Sequence, residues 1–152
     1  YSYGARSFSV LDADGNMVFD SGDAFEQFLA SNYGNVFNAS DAENYSRDNR
    51  SDDKGPEPAG IASGYVNGTP YAFIGLERQG GFMVYDLTNP TNPQFVTYHS
   101  DRRFSGSPEH DTAGELAPEG MQFVDAANSP TGNAMLVVAS EVSRSTKVYD
   151  LK

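Results

Sequence analysis

Two glutamates stand just before glycine-led apolar runs, and their side chains could do chemistry. The dipeptide Pro-Glu ends at Glu57 and again at Glu119, and we place both at the start of a strand that lies innermost in its sheet. Carboxylates that converge there bind hard cations, calcium above all, through oxygen ligands. They could equally hold a metal that polarises a phosphoryl oxygen. The alternative is that each glutamate accepts hydrogen bonds from a turn or pairs with an arginine.

A second pair of glutamates, Glu77 and Glu141, ends the second strand of each of two similar segments. Their matching positions suggest a shared role, whereas Arg78 beside the first and Arg144 near the second favour structural ion pairs. Two aspartates just before the first Pro-Glu could add oxygen ligands. The predicted ligands of calcium or another divalent metal are Glu57, Glu119, Asp52, Asp53, Glu77 and Glu141.

His110 and Arg78 are the candidate catalytic side chains. His110 lies in a polar loop, residues 108–111, that could reach a cleft, although a single loop histidine is usually only solvated. The sequence has no serine motif of hydrolase type, no glycine loop that cradles phosphate and no His-X-X-X-His pair. We therefore predict no nucleotide cofactor and no Ser-His-Asp chemistry. The absence of cysteine also excludes thiolate catalysis and Cys-zinc sites.

These side chains must be positioned by an internal repeat, which is the strongest pattern in the sequence. Residues 60–87 and 120–151 both read as a glycine-led strand, an apolar strand ending in glutamate and a strand ending in Val-Tyr-Asp-Leu. The offset is 60 residues at the glycines and 64 at the final leucines, because the second copy has a longer first hairpin. After the first copy, Gln94 to Tyr98 alternates polar and apolar residues and predicts a fourth, outer strand.

Other elements precede the repeat. Residues 7–20 predict a hairpin with an Asp-Gly turn, and not a calcium loop. Asp23 and Glu26 have the spacing of a capping box, and the apolar face that follows predicts a helix from Ala24 to about Asn32. The long, aperiodic stretches 35–55 and 100–117 predict functional loops or disorder.

The whole pattern predicts an all-β protein: a β-propeller fragment of about two four-stranded antiparallel blades and part of a third, with one short helix. The predicted segments are 1–22 (the end of one blade), 23–55 (the helix and an acidic loop), 56–99 (a complete blade), 100–117 (a loop) and 118–152 (three strands of the next blade). A smaller sheet sandwich is the alternative.

The chain is strongly acidic, with 21 acidic and 10 basic residues and a net charge of -11. Such a charge repels nucleic acid and anionic membranes, so we predict neither as a partner. No apolar run approaches the roughly 18 residues that span a bilayer, so we predict no direct membrane insertion. An acidic surface suits calcium or a saline environment, and it also suits plain solubility.

Several strings resemble the C-terminal part of the choice-of-anchor I family. They are 50–58, 71–78, 80–86, 117–121 and 136–143, and the resemblance runs from about Gly4 to Lys152. The family implies a bacterial secreted or surface-anchored propeller-like protein, and some members are labelled alkaline phosphatase. It therefore implies a location outside the cell, on its surface or in the periplasm. One departure is Ala59, since the resemblance implies an acidic residue before Gly60, and any ligand role there is either absent or passes to Glu57.

Three hypotheses follow. The first is a non-catalytic module that binds a cation or a partner through its acidic loops. The second is a segment of a metal-dependent phosphomonoesterase, and the third is a purely structural surface scaffold. Because nine strands do not close a propeller, we also expect the missing strands to come from the remaining segment of the same propeller or from another copy of the chain.

Overall fold

The computed structural model describes residues 6–152. Its strands and its one α-helix are, in chain order, β1 (Ser9–Leu11), β2 (Met17–Asp20), α1 (Ala24–Asn32), β3 (Pro58–Val66), β4 (Thr69–Leu76), β5 (Phe82–Asp86), β6 (Gln94–His99), β7 (Pro118–Val124), β8 (Ala134–Ser140) and β9 (Ser145–Leu151). Short 3-10 turns occupy Gly34–Val36 and Ala126–Asn128.

The strands form three antiparallel sheets. One is the β1-β2 hairpin, the second has the order β3-β4-β5-β6, and the third has the order β7-β8-β9. Each sheet follows chain order, as the blades of a propeller do. The prediction of a propeller-like, mostly antiparallel fragment with one short helix is confirmed.

The four-stranded sheet lies between two apolar layers, which explains why its central strands are continuous apolar runs. Alternate side chains of β4 and β5 point to opposite faces. On one face Ile74 and Met83 pack with the helix and the hairpin. On the other face Phe73 and Val84 pack against the three-stranded sheet. Both faces are therefore buried, and a strict polar–apolar alternation would have been unstable here.

The two larger sheets approach each other closely at β3 and β7. A Cβ atom added to Gly64 would lie 2.1 Å from Cδ1 of Phe123, and one added to Gly60 would lie 2.7 Å from the carbonyl oxygen of Glu119. Only glycine leaves room for the Phe123 ring against the backbone of β3. Gly60 and Gly64 are thus required by packing between the two sheets.

Helix α1 covers the first core with Phe25 and Leu29, both fully buried. The predicted capping box is wrong, because Asp23 caps no backbone group and instead accepts a hydrogen bond from Gln27 Nε2 at 2.8 Å. Glu26 likewise turns away from the helix end and accepts from Asn38 Nδ2 at 2.7 Å. The carboxylates of Asp23 and Glu26 therefore accept hydrogen bonds from side-chain amides and not from the N–H groups of the first helical turn.

The predicted hairpin turn is confirmed. Asp12 accepts the backbone N–H groups of Asp14 and Asn16 at 2.9 and 2.8 Å, and Gly15 has a positive φ of 83°. These contacts fold the loop on itself and join β1 to β2.

Candidate functional site

Arg78 is the centre of a cluster of carboxylates at the end of the four-stranded sheet. It lies in the turn between β4 and β5, where its Nε donates to Glu57 Oε2 at 2.6 Å and its Nη2 lies 3.2 Å from Glu77 Oε1. Its Nη1 donates to Asp41 Oδ2, and Lys54 donates to the other oxygen of Glu57. One guanidinium therefore holds together a strand end, a turn and a loop.

The cluster is largely withdrawn from solvent, since Asp41, Glu57 and Glu77 are all buried. Burial raises the pKa of Glu77, and the negative charge of Glu57 raises it further. Burial also opposes the charge of Arg78, but Asp41 and Glu57 outweigh that effect and raise its pKa. Shifted pKa values of this kind are frequent at functional sites, although structural ion-pair networks produce them too.

Arg102 performs a related task for the long loops. Its buried guanidinium donates to Asn44 Oδ1 at 3.0 Å and to the carbonyl oxygens of Ser40 at 2.6 Å and Arg78 at 2.8 Å. Longer bonds reach the carbonyls of Gln79 and Glu43. Burial lowers the pKa of Arg102 to about 10, so it remains charged at neutral pH. The loop 37–57 is thereby attached to the sheet.

The same loop also contacts the second long loop. Asn44 Nδ2 donates to the carbonyl oxygens of Arg103 at 2.9 Å and Gly106 at 2.6 Å. A groove of about 290 Å³ opens between the two loops. We call it the inter-loop groove, and its lining residues are Ala42, Glu43, Asn44, Tyr45, Ser107, Pro108 and Glu109.

Tyr45 in this groove is 91% exposed, the highest value among the large hydrophobic side chains of residues 6–152. Glu43 and Glu109 are exposed as well. An aromatic face beside two carboxylates can attract a cationic group through charge and through the ring. The framework beneath it is held by Arg102 and Asn44, so the groove is presented on a fixed backbone.

The predicted correspondence of the two Pro-Glu motifs is wrong. Glu57 and Ala117 are the matching residues: both have a positive φ, of 52° and 58°. Each carbonyl accepts a 2.8 Å hydrogen bond, from the N–H of Glu77 and of Glu141 respectively. The offset of 60 residues at the start of the repeat pairs Glu119 with Ala59, and the motifs are therefore two residues out of register.

The predicted metal ligands are dispersed among different environments. Glu57 and Glu77 meet at Arg78, while Asp53 pairs with Arg50. The exposed members are Asp52, Glu119 and Glu141. The charge of Glu119 nevertheless contributes to the raised pKa of Glu77. Within residues 6–152 no group of three or more acidic or histidine side chains is arranged to hold a metal ion, and the metal roles stay predictions.

The two candidate catalytic residues, Arg78 and His110, make no contact with each other among the hydrogen bonds and ion pairs of residues 6–152. Arg78 is engaged by carboxylates, as described above, whereas His110 is exposed in the second long loop.

For Arg144, the backbone N–H donates to the carbonyl of Glu141 at 3.2 Å. The expected ion pair between the side chains of Glu141 and Arg144 does not occur among the ion pairs of the described part of the chain.

Sequence reasoning missed Asp41, Arg102 and a second polar cluster at Asp101. Lys147 Nζ and Tyr149 Oη donate to Asp101 Oδ2 at 2.7 and 2.8 Å, and His99 Nε2 lies 3.2 Å from the same oxygen. Burial opposes the ionisation of Asp101, but these three hydrogen bonds outweigh it and lower its pKa to about 2. The contacts join residues up to 48 positions apart, so no local signal in the sequence marks them.

Comparison with known proteins identifies the class of this protein. The model of the choice-of-anchor I domain matches residues 1–90, more than half of the chain. The chain therefore belongs to the choice-of-anchor I family, and the resemblance is confirmed. This membership indicates a surface-associated or secreted protein.

One curated relative is Gigasin-3a from Magallana gigas. It is 29% identical over 167 aligned residues, which cover 100% of this chain and 57% of the relative. The chain thus spans a little over half the length of this relative. No solved structure matches the chain. The expected bacterial origin stays a prediction.

Among residues 6–152, no helix has the length and apolar character needed to cross a bilayer.

Proposed function

We propose that this chain is a non-catalytic binding module of a surface-associated protein, and that it binds a positively charged partner through the inter-loop groove. The observation that carries the proposal is the groove itself: two exposed carboxylates, of Glu43 and Glu109, line it together with the exposed ring of Tyr45. A lysine or arginine side chain of a partner protein has the charge and the shape for this arrangement.

The rigidity of the loops supports the proposal. A flexible loop must be ordered when a partner binds, and this ordering costs affinity. Here Arg102 and Asn44 already fix the backbone on both sides of the groove. The net charge of -11 adds a long-range attraction that accelerates encounter with a cationic partner and weakens in salt.

The experiment measures binding of an oligolysine peptide by isothermal titration calorimetry. The variant Glu43→Gln/Glu109→Gln removes two charges from the groove, and the control Asp14→Asn/Asp125→Asn removes two exposed charges elsewhere. We expect the groove variant to weaken binding about tenfold, equivalent to about 1.4 kcal/mol, and the control to change it much less. Equal losses would show that only net charge attracts the peptide, and would overturn the proposal.

A cation, calcium or another divalent metal, is the second candidate ligand, because the buried carboxylates of Asp41, Glu57 and Glu77 surround Arg78 and supply oxygen ligands. The three are not arranged as a metal site, so the cation would have to displace Arg78 and Lys54 and draw the carboxylates together. If so, Ca²⁺ should raise the melting temperature of the wild-type chain and leave that of Glu77→Gln unchanged. An equal response of both proteins would exclude a site at Glu77.

The same preparation tests the phosphomonoesterase alternative. Hydrolysis of p-nitrophenyl phosphate that disappears on chelation and returns with metal would support a metal-dependent phosphatase over a binding module. A chain that binds neither oligolysine nor Ca²⁺ and hydrolyses nothing would instead be a structural scaffold.

A further inference from the structure

The turn between β3 and β4 presents an asparagine followed by a glycine at the surface. Val66 and Thr69 are cross-strand partners, so Asn67 and Gly68 form a two-residue turn. Both have a positive φ, of 52° and 86°, as a type I′ turn requires. Both are exposed, and a Cβ atom added to Gly68 would meet nothing within 4 Å. Solvent therefore reaches both residues freely.

This dipeptide has a reactive pair of groups. Asparagine is thermolabile, and it loses its side-chain amide most readily when glycine follows, because the backbone nitrogen of the next residue attacks Cγ and glycine has no side chain to block the attack. The reaction needs that N–H and the asparagine side chain to be unbonded. The N–H of Gly68 and the side chain of Asn67 take part in no hydrogen bond among residues 6–152.

Several other exposed asparagines are unreactive because of the residue that follows them. In three cases the next N–H already donates to a backbone carbonyl, at 2.8, 3.0 and 3.3 Å, and these asparagines are Asn35, Asn49 and Asn128. Asn89 and Asn92 precede proline, which has no N–H. None of these five therefore has a free nitrogen beside it.

The remaining asparagines use their side-chain amides as donors. In each of them Nδ2 donates to a side-chain or backbone oxygen, and they are Asn16, Asn32, Asn38, Asn44 and Asn133. Loss of the amide there would break a contact of the folded chain. Among residues 6–152, Asn67 thus combines an unbonded side chain with an unbonded N–H after it.

We propose that Asn67 is a site of spontaneous modification, at which the side-chain amide is lost and isoaspartate or aspartate is formed. The nitrogen of Gly68 forms a bond to Cγ of Asn67, the bond from Cγ to Nδ2 breaks, and ammonia leaves with the proton of the Gly68 N–H. Water then opens the five-membered succinimide ring. Opening at the side-chain carbonyl carbon gives aspartate, and opening at the main-chain carbonyl carbon gives isoaspartate. Water is the only co-reactant, and nothing is oxidised or reduced.

The products change the hairpin in two ways. Each has a carboxyl group with an ordinary pKa of about 3.9, so the net charge of -11 gains one negative charge at neutral pH. Isoaspartate also inserts a methylene group into the main chain of a two-residue turn, which disturbs the pairing of Val66 with Thr69 first. The turn precedes β4, whereas Arg78 follows it. The inference therefore concerns the other end of the sheet from the inter-loop groove and does not depend on the proposed function.

The experiment incubates the 152-residue chain at neutral and at alkaline pH and follows the tryptic peptide 55–78, in which Asn67 is the only asparagine. Mass spectrometry measures the replacement of the amino group by a hydroxyl group, and methylation by an isoaspartate methyltransferase measures isoaspartate. Asn128 is the internal control, because it is exposed and followed by another small residue, Ser129, whose N–H is bonded. We expect Asn67 to react at least about tenfold faster than Asn128, equivalent to about 1.4 kcal/mol in the barrier. The reaction should also be faster at alkaline pH, because the attacking nitrogen must lose its proton.

Unfolding in urea separates the effect of the fold from that of the dipeptide. Urea frees the N–H of Ser129, so the rate at Asn128 should rise, whereas the rate at Asn67 should change little. A folded chain in which peptide 55–78 stays unmodified, modification without isoaspartate, or equal rates at Asn67 and Asn128 would each overturn the proposal. A rate at Asn67 that rises strongly in urea would overturn it too, because the turn would then protect the asparagine.

Discussion

Replacing Arg102 by methionine should detach the long loop 37–57 from the sheet. The methionine side chain fills similar space but donates no hydrogen bond. Arg102 is 6% exposed, so solvent cannot easily replace the donors that are lost. The acceptors affected most are Ser40 O, Arg78 O and Asn44 Oδ1, at 2.6, 2.8 and 3.0 Å.

The magnitude follows from these three acceptors. A buried acceptor that loses its partner costs about 1–3 kcal/mol. Three such acceptors give about 3–9 kcal/mol, and methionine also removes the desolvation cost of the buried guanidinium, which offsets part of that sum. We therefore expect the free energy of unfolding to fall by about 3 kcal/mol. Arg102→Lys keeps the charge but has fewer and differently directed donors. Its free energy of unfolding should therefore lie between those of the wild type and Arg102→Met.

Urea denaturation measures this loss, with Arg103→Met as the matched control. Arg103 is the exposed neighbour, and its replacement should change stability by no more than about 0.5 kcal/mol. Limited proteolysis adds a local readout, because new cleavage should appear within residues 37–57. A loss below about 1 kcal/mol for Arg102→Met, or equal effects of the two variants, would refute the view that Arg102 holds the loop.

Three further predictions follow from the packing and the charges. Gly64→Ala should destabilise the protein by about 1–3 kcal/mol in urea denaturation because its methyl group meets Phe123, whereas Gly34→Ala, with no atom within 4 Å, should not. Asp101 has a folded pKa of about 2, below the ordinary 3.8, so its contribution to the free energy of unfolding is present above pH 3.8 and is lost as the pH falls towards 2. After a discount for its partial exposure, Asp101→Asn should lower the free energy of unfolding by about 1 kcal/mol at neutral pH. A cost that persists below pH 2 would contradict this. The pKa of Glu77 is shifted in the opposite direction, above 4.5, so its ionisation lowers the free energy of unfolding at neutral pH. Glu77→Gln should therefore flatten the pH dependence of the free energy of unfolding between neutral pH and 4.5.

The regular elements could be predicted because their signals are local. The spacing of Phe25, Phe28 and Leu29 predicts helix α1, and its bounds agree with the structure. The paired copies of Val-Tyr-Asp-Leu predict β5 and β9, since two segments with the same pattern adopt the same strand order. Turn residues between apolar runs then separate the strands.

The candidate site was predictable only in part. Glu57, Glu77 and Arg78 were recognised because they lie at strand ends, but the pairing of Glu57 with Glu119 failed by two residues. The backbone explains this error, since the repeat is aligned by the positive φ at Glu57 and Ala117 and not by the glutamates themselves. Sequence patterns do not report such dihedral angles in residues other than glycine.

The contacts of Arg102 could not be predicted from local sequence. The contacts with the long loop join residues 58–62 positions apart, and those with Arg78 and Gln79 join residues 24 and 23 positions apart. Most of them end on carbonyl oxygens, which every residue carries. Only the folded chain shows which of them face a buried guanidinium. The inter-loop groove depends on these contacts and was hidden for the same reason.

The central claim, that the inter-loop groove binds a cationic partner, is tested most directly by mapping where such a partner binds. Oligolysine is titrated into the isotope-labelled chain and the amide shifts are followed by NMR. The account predicts saturable changes concentrated in residues 42–45 and 107–109, which weaken with salt and disappear in Glu43→Gln/Glu109→Gln. Changes spread evenly over all exposed acidic residues, or confined to another surface, would contradict it.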